Sequence, residues 1–391
     1  MKALILAAGR GTRVQPLTDA IPKPMIPIVH KPVMEILIEQ LREHRFDEIV
    51  VNTSHLASEI ENYFRDGARL GVQIAYSFEG YKSNGKITSQ PLGSAGAMRK
   101  IQAHSGLFDD TFAVVCGDAV VDVDLTALLA FHRAKKSIAT IALKSMPDEQ
   151  LQNYGVALRD NEDRIVEFQE KPQRGEARSP FVSTGIYLFE PEILSWIPPE
   201  GAYDIGSQLF PRLAAAGERI YGIELPAFQW FDIGRLQDYH STVMQAMMGE
   251  IRSFKIAGRR IAKDVWIGPH VRANFGSLKV SGPAYIGGSA EIGDGCTLVG
   301  PVVVGAGAVI GSGTYLERSI VLDQTRISPL SYLENKVIGG DFCISTDGTV
   351  LDGRHTDTSW LFSDARSLGA SLTDDQRWVY AHIMEAAKAA A

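Results

Sequence analysis

Over the first 250 residues, short unbroken runs of apolar residues alternate with stretches in which apolar positions recur every three or four residues. Ala3–Ala7, Ile49–Val51, Val72–Tyr76, Phe112–Cys116 and Ile138–Leu143 are the runs. Val33–Glu43, with Met34, Leu37, Ile38 and Leu41, carries the helical spacing, and Ile60–Phe64 and Leu125–Arg133 read as helices too. Runs of Val, Ile and Leu without polar alternation belong to strands buried on both faces. The pattern therefore predicts an α/β, Rossmann-like, mainly parallel sheet covered by helices on both sides. Ligands of such sheets bind beyond the carboxyl ends of the strands. The glycine-rich turn after Ala7 and the acidic Asp118 both fall at such ends.

From Ile261 onward the period changes to six. Ile261 and Ile267 share one register. After an offset it resumes at Val280, Ile286, Ile292, Leu298, Val304, Ile310 and Leu316. Four positions after these come Val265, Val271, Ala284, Ala290, Cys296, Val302, Ala308, Thr314 and Ile320, and glycine follows the aliphatic residue at 268, 287, 293, 305 and 311. Neither a helix nor an ordinary strand has this period; a β-helix does, with one hexad to each flat side. Residues 251–340 are thus expected to form a parallel β-helix, and the hexads resemble the left-handed form of hexapeptide-repeat transferases. Residues 341–391 read as an irregular segment and then a helix, opened by Thr373, Asp374 and Asp375 and carrying a stripe of Leu372, Val379, Ile383 and Ala386.

Composition narrows the class. A length of 391 residues, 45% hydrophobic and 22% charged, suits two soluble domains, each with its own core. No run of 18 apolar residues predicts a membrane span, and the N-terminus reads as a first strand rather than a signal peptide. A net charge of −7 with scattered Lys and Arg argues against nucleic acid as a partner. Cys116, Cys296 and Cys343 are odd in number and far apart, which fits neither a disulfide framework nor a zinc site and points to a reducing, cytoplasmic setting. The histidines show no ligand spacing, and His240 and His270 are expected to be structural.

The candidate chemistry begins at Leu6-Ala7-Ala8-Gly9-Arg10-Gly11-Thr12-Arg13, followed by Pro22-Lys23-Pro24. A strand that ends in glycines lets backbone N–H groups approach phosphate oxygens. Arg13 adds a bidentate donor and Lys23 a compact charge. The string is neither a Walker loop nor the dinucleotide G-x-G-x-x-G, since Val14 stands where the third glycine would be. Alone, a G-x-G marks only a tight turn. An aspartate at a strand end, as at 118, is often only a turn residue or helix cap.

The full string closely resembles the signature of the sugar-1-phosphate nucleotidyltransferases, and further pieces follow in order through residues 1–250: Leu92-Gly93-Ser94-Ala95-Gly96, Val115-Cys116-Gly117-Asp118, Tyr154-Gly155-Val156, Glu170-Lys171-Pro172, Ser183-Thr184-Gly185-Ile186-Tyr187 and Trp230-Phe231-Asp232-Ile233-Gly234. The resemblance implies a nucleotidyltransferase domain at 1–250 that converts a nucleoside triphosphate and a sugar 1-phosphate to a nucleotide sugar and pyrophosphate. It implies a nucleotide site at Leu6, Ala8, Gly9, Gly11, Thr12, Arg13, Lys23, Gln90, Gly93 and Ser94. It places the sugar phosphate at Gly155, Glu170, Lys171, Thr184 and Gly185, and Mg²⁺ on Asp118 and Asp232. Two features depart from the family pattern: Ser183 where many relatives have Asn, and Ser207 where relatives often carry Lys.

The chemistry needs no Ser, Cys or His nucleophile, because the sugar phosphate is already an anion. It needs cations that hold two phosphates together and stabilise charge on the α-phosphoryl group and the leaving pyrophosphate. Arg13 and Lys23 are assigned that catalytic part. Gln90 stands where family members place a base-reading side chain. Its amide matches the N3–H donor and O4 acceptor that uracil and thymine share, so a pyrimidine is favoured, with UTP and glucose 1-phosphate as the first choice and GTP with mannose 1-phosphate or dTTP with glucose 1-phosphate as alternatives. A non-catalytic regulatory subunit is the competing class, but Arg13, Lys23, Asp118 and Asp232 are all present. An acyltransferase would need a histidine beside a projecting loop, whereas His270 lies inside a regular hexad. The flat faces and open ends of a β-helix predict a homo-oligomer held by residues 251–391.

Overall fold

A computed structural model describes residues 1–83, 86–354 and 360–366, without the side chains of residues 82, 83, 86 and 87. The helix expected after Thr373 and its apolar stripe lie outside these. The described residues divide into two compact units, one of Met1–Ile26 with Pro32–Asp232 and one of Pro27–Lys31 with those from Ile233 onward. The helix Leu236–Met247, which the sequence pattern assigns to the first domain, groups with the second unit.

The first unit is built on a nine-stranded sheet. Its parallel half runs Phe112–Cys116, Lys2–Leu6, Glu48–Thr53, Gln73–Phe78, and these strands are the unbroken apolar runs of the sequence. Along Lys2–Leu6, Ala3 and Ile5 face one core, with Met34, Leu37 and Leu41 of the helix Val33–Glu43 and Ile60 of the helix Ala57–Phe64. Leu4 faces the other, with Met98 and Ile101 of the helix Gly93–Ser105 and Phe210 and Leu213 of the helix Phe210–Ala215. Alternation of side chains across the strand thus yields the three-layer sandwich expected of a doubly covered sheet. In the other half, Phe181–Phe189, Gly155–Arg159, Ile165–Glu170 and Ala139–Ser145 pair antiparallel, and Ala139–Ser145 also pairs parallel with Ile220–Ile223. A short ladder joins Gln229–Asp232 to Ala119–Asp122.

In the second unit, successive short strands fall in rotation into three parallel ladders, a three-sided β-helix. Ile286, Ile292, Leu298, Val304, Ile310 and Leu316 all point into its core. Gly287 and Gly293 sit where the next coil passes closely, since a Cβ on either would come within 2.5 Å of a backbone nitrogen of that coil. The register also explains three breaks in the period. Val280 pairs with Leu298 while Ala273 pairs with Ile292, so one residue is inserted between 273 and 280. One is lost between Leu316 and Val321 and another between Leu333 and Ile338, and the core continues at Val321, Ile327 and Ile338. Ile261, the first of the expected hexad positions, is instead 39% exposed on the strand Arg259–Ala262, which pairs antiparallel with Val265–Ile267. The irregular segment expected from residue 341 begins as strands: Phe342–Ser345 and Val350–Asp352 extend one ladder antiparallel, and Phe362–Asp364 covers Thr325–Ile327. Among the described residues no helix is long and apolar enough to cross a membrane.

Candidate active site

The strand Lys2–Leu6 ends between its two parallel neighbours, and its continuation, residues 7–13, lies over their carboxyl ends. The Leu6 carbonyl accepts the Gly117 N–H at 3.0 Å, tying this loop to the turn that carries Asp118. Gly11 adopts φ 64°, and a Cβ there would meet Cβ of Lys23 and Cγ2 of Thr18, each at 3.0 Å. Both the left-handed backbone and the crowding require glycine. Ala8, Gly9 and Thr12 line the same loop, and Arg13 is exposed in the single turn Thr12–Val14.

Lys23 is fixed between Pro22 and Pro24 and is 6% exposed. Its Nζ donates to Asp118 Oδ2 at 2.6 Å and lies 3.8 Å from Asp232 Oδ1. The ladder pairing Asp232 with Ala119 brings together an aspartate from the middle of the unit's sequence and one from its end. Burial pushes the Asp232 carboxyl up and the charge of Asp118 adds to that, while Lys23, Arg13 and a hydrogen bond from Tyr154 pull it down. Mg²⁺ takes one or two carboxylates plus substrate phosphates. Two carboxylates converging on one ammonium, beside a loop of backbone donors, are a donor set of that kind. Among the described residues there is no cluster of three or more His, Cys, Asp or Glu that could hold a metal by protein ligands alone.

The second glycine loop enters the helix Gly93–Ser105. Gly93 has φ 73°, and a Cβ there would come within 2.6 Å of the Tyr203 carbonyl oxygen. That carbonyl accepts from the N–H groups of Ala95 and Gly96, both at 2.9 Å. Ser94 differs from expectation: its hydroxyl donates to Asp204 Oδ2 at 2.7 Å and accepts from the Ile205 N–H at 2.8 Å, so it docks two loops together. Asp204, absent from the expected site, is held ionised against its burial by the Ser207 N–H and the Ser94 and Ser207 hydroxyls. Gln90 is exposed just ahead of this loop, held there by its backbone N–H on the Glu79 carbonyl at 3.1 Å.

On the antiparallel half, a Cβ on Gly155 would come within 2.9 Å of Glu170 Oε2, and one on Gly206 within 3.1 Å of its Cδ. Two glycines therefore leave room for this carboxylate. Lys171 holds φ 46° ahead of Pro172, a conformation that its side chain and the following proline both disfavour, and such strain clusters at ligand sites. Its ammonium pairs with Glu170 Oε1 at 2.9 Å. Gly185, at φ 75°, lies against the Cys116 side chain, with 3.0 Å from a built Cβ to Cys116 Cβ. Thr184 is not brought to the site by its side chain. It is 3% exposed, and its hydroxyl donates to the Ala142 carbonyl at 2.7 Å inside the sheet.

Sequence reasoning also missed Asn52 and Glu79, each 3% exposed, which link the two glycine loops. The available signal was a lone polar residue closing the apolar run Ile49–Val51 at a carboxyl end.

The chain matches the Nucleotidyl transferase family over residues 2–248 and the GMPPB C-terminal domain over residues 280–352. A UTP–glucose-1-phosphate uridylyltransferase of Synechocystis sp. is 46% identical, covering 94% of this chain and 94% of its own. A mannose-1-phosphate guanylyltransferase of Mycobacterium tuberculosis is 31% identical over 76% of this chain and 77% of its own. A solved UDP-glucose pyrophosphorylase complexed with UDP-glucose shares the fold of 62% of this chain and 96% of its own, with a TM-score of 0.53 and 24% identity. Kinship that runs through the whole first unit and on into the repeats makes this chain a member of the sugar-1-phosphate nucleotidyltransferase family.

Proposed function

We propose that this enzyme transfers uridylyl from UTP to glucose 1-phosphate, giving UDP-glucose and pyrophosphate. The observation that carries the reading is the convergence of Lys23, Asp118 and Asp232 at the end of the first glycine loop. The 46% identity to a uridylyltransferase favours uracil, and the amide of Gln90 suits a pyrimidine better than guanine.

A phosphate oxygen of glucose 1-phosphate attacks the α-phosphorus of UTP. The bond from that phosphorus to the bridging oxygen breaks, and pyrophosphate leaves with the electron pair. No proton has to move, so the site's task is charge and position. Backbone N–H groups of residues 8–12 face the phosphates, Arg13 takes the pyrophosphate and Lys23 the α-phosphate. Lys171 holds the sugar phosphate, and Glu170 accepts from sugar hydroxyls. Mg²⁺ on Asp118 and Asp232, when bound, supplies neutralisation of the triphosphate charge. Lys23 then exchanges one acidic partner for another, leaving the carboxylates for a phosphate oxygen.

Purified protein supplied with each of four nucleoside triphosphates and several sugar 1-phosphates, with pyrophosphate release measured, tests this. Turnover fastest with UTP and glucose 1-phosphate is expected; a preference for GTP with mannose 1-phosphate would replace the assignment. The repeats are proposed to assemble the enzyme into a homo-oligomer. Light scattering should show more than one chain at micromolar concentration and smaller species after deletion of residues 251–391; a monomeric intact protein would refute this.

A further inference from the structure

Between the two glycine loops runs a chain of buried hydrogen bonds. The Ala7 N–H donates to Asn52 Oδ1 at 2.6 Å, Asn52 Nδ2 donates to Glu79 Oε1 at 2.7 Å, and the Leu92 N–H donates to Glu79 Oε2 at 3.0 Å. Parallel strand pairing sets it up. Asn52 is registered opposite Leu6, and Thr53, its successor, opposite Phe78, the residue before Glu79. The Glu79 backbone is held as well, its N–H on the Thr53 carbonyl at 2.7 Å and its carbonyl accepting from Gln90 N–H and the Ser54 hydroxyl.

The polarity of this chain admits little choice. Both ends are backbone N–H groups, which only donate. Asn52 must turn its oxygen to Ala7, which leaves its amino group facing Glu79. Glu79 then receives a donor on each oxygen, so its carboxyl is required ionised and acceptor-only. Burial pushes that carboxyl up, while the hydrogen bonds from Leu92 and Asn52 and the charge of Lys100 oppose the rise. Buried polar atoms that are fully matched fix geometry, and a mismatch there is felt strongly.

We infer that Asn52 and Glu79 are positioning residues that hold the phosphate loop at Ala7 and the base-side loop at Leu92 at one fixed spacing, so that a nucleoside triphosphate meets both loops already aligned. This rests on the reading that these two loops bind the nucleotide. Both side chains are buried with their polar atoms engaged by each other and by the backbone, so they act through the loops and not by contact with substrate. Their effect should fall on the nucleotide rather than on the sugar phosphate, whose expected ligands lie at 155, 170 and 171.

The matching logic supplies its own test. Glu79→Gln places an amino group against one of the two donors. Asn52→Asp sets two carboxylates face to face. Made together, Asn52→Asp with Glu79→Gln restores every bond: the new carboxylate accepts from Ala7 and from the new amide's amino group, and the amide oxygen accepts from Leu92. KM for UTP and for glucose 1-phosphate would be measured for the native enzyme, both single variants and the pair. Each single change should raise KM for UTP about tenfold or more and leave KM for glucose 1-phosphate within about twofold. The paired change should bring KM for UTP below that of either single variant. Losses that multiply in the pair, or a fall in kcat with KM for UTP intact, would overturn the inference. If a single variant does not fold, the paired variant decides: it must fold and approach the native KM for UTP, and failure to do so overturns the inference. A native enzyme without turnover on any nucleoside triphosphate would instead strike the functional reading itself.

Discussion

The Lys23 ammonium donates to Asp118 at 2.6 Å and sits 3.8 Å from Asp232, so one buried cation holds together two carboxylates that the sequence separates widely. Substitution of Lys23 should therefore act twice. Lys23→Ala should lower kcat by about 10² to 10³, as for other preorganised donors. It should also leave two like charges facing each other and lower the melting temperature in metal-free buffer. Added Mg²⁺ should raise the melting temperature of Lys23→Ala more than that of the native enzyme, in which the ammonium competes for the same carboxylates. Equal Mg²⁺ shifts in a thermal melt would argue against a shared site.

Arg13 is exposed and its charge reaches Asp232, so it can be removed with little structural consequence. Arg13→Ala should keep the native melting temperature and lose on the order of 2–4 kcal/mol of transition-state stabilisation. A rise in KM for UTP with kcat intact would make Arg13 a binding group only.

Asp118→Asn should abolish Mg²⁺-dependent turnover. The expected stability effect is modest, below about 1 kcal/mol, because the carboxylate is 38% exposed and an amide oxygen still accepts from Lys23. Full activity of this variant, or of the native enzyme in excess chelator, would remove the metal from the account.

Gln90→Glu should cut kcat/KM for UTP about tenfold or more while affecting GTP less, since guanine offers two adjacent donors to a carboxylate and uracil offers one donor and one acceptor. Equal losses for the two nucleotides would show that this exposed side chain does not read the base.

Burial holds His132 below its ordinary value of 6.5, against a hydrogen bond to Glu190 at 3.0 Å that works the other way. His240 is lowered for the same reason, against its bond to the Arg318 carbonyl at 2.6 Å. Both rings are disfavoured as cations in the folded state. The unfolded chain takes up these protons first, so stability is complete above pH 6.5 and is lost as pH falls from there toward the lower folded values. The melting temperature should decline over this window, and His132→Gln should decline less steeply. A variant with the native slope would contradict the assignment.

Much of this was legible from the chain. The helix Val33–Glu43 and the strand Phe112–Cys116 have the bounds the apolar pattern gives, because propensity and burial agree there. The β-helix was legible as long as the period held. Residues lost after Leu316 and again after Leu333 hid the last coil, which the core nonetheless fills with Val321, Ile327 and Ile338. Motifs located the loops but not the direction of each side chain. The hydroxyls of Ser94 and Thr184 turn out to be committed to Asp204 and Ala142, partners that only the folded sheet supplies. The polar Asn52 at the end of its apolar run was visible, but its pairing with Glu79 was not, since that depends on the register of adjacent strands.

The most direct test of the central claim is a competition. Native enzyme with Mg²⁺ and glucose 1-phosphate would be given equal UTP, dTTP and GTP, and the nucleotide sugars formed would be quantified by mass spectrometry. The account predicts UDP-glucose in large excess, with stoichiometric pyrophosphate. A mixture dominated by a GDP-sugar, or nucleotide consumed with no sugar nucleotide formed, would contradict it.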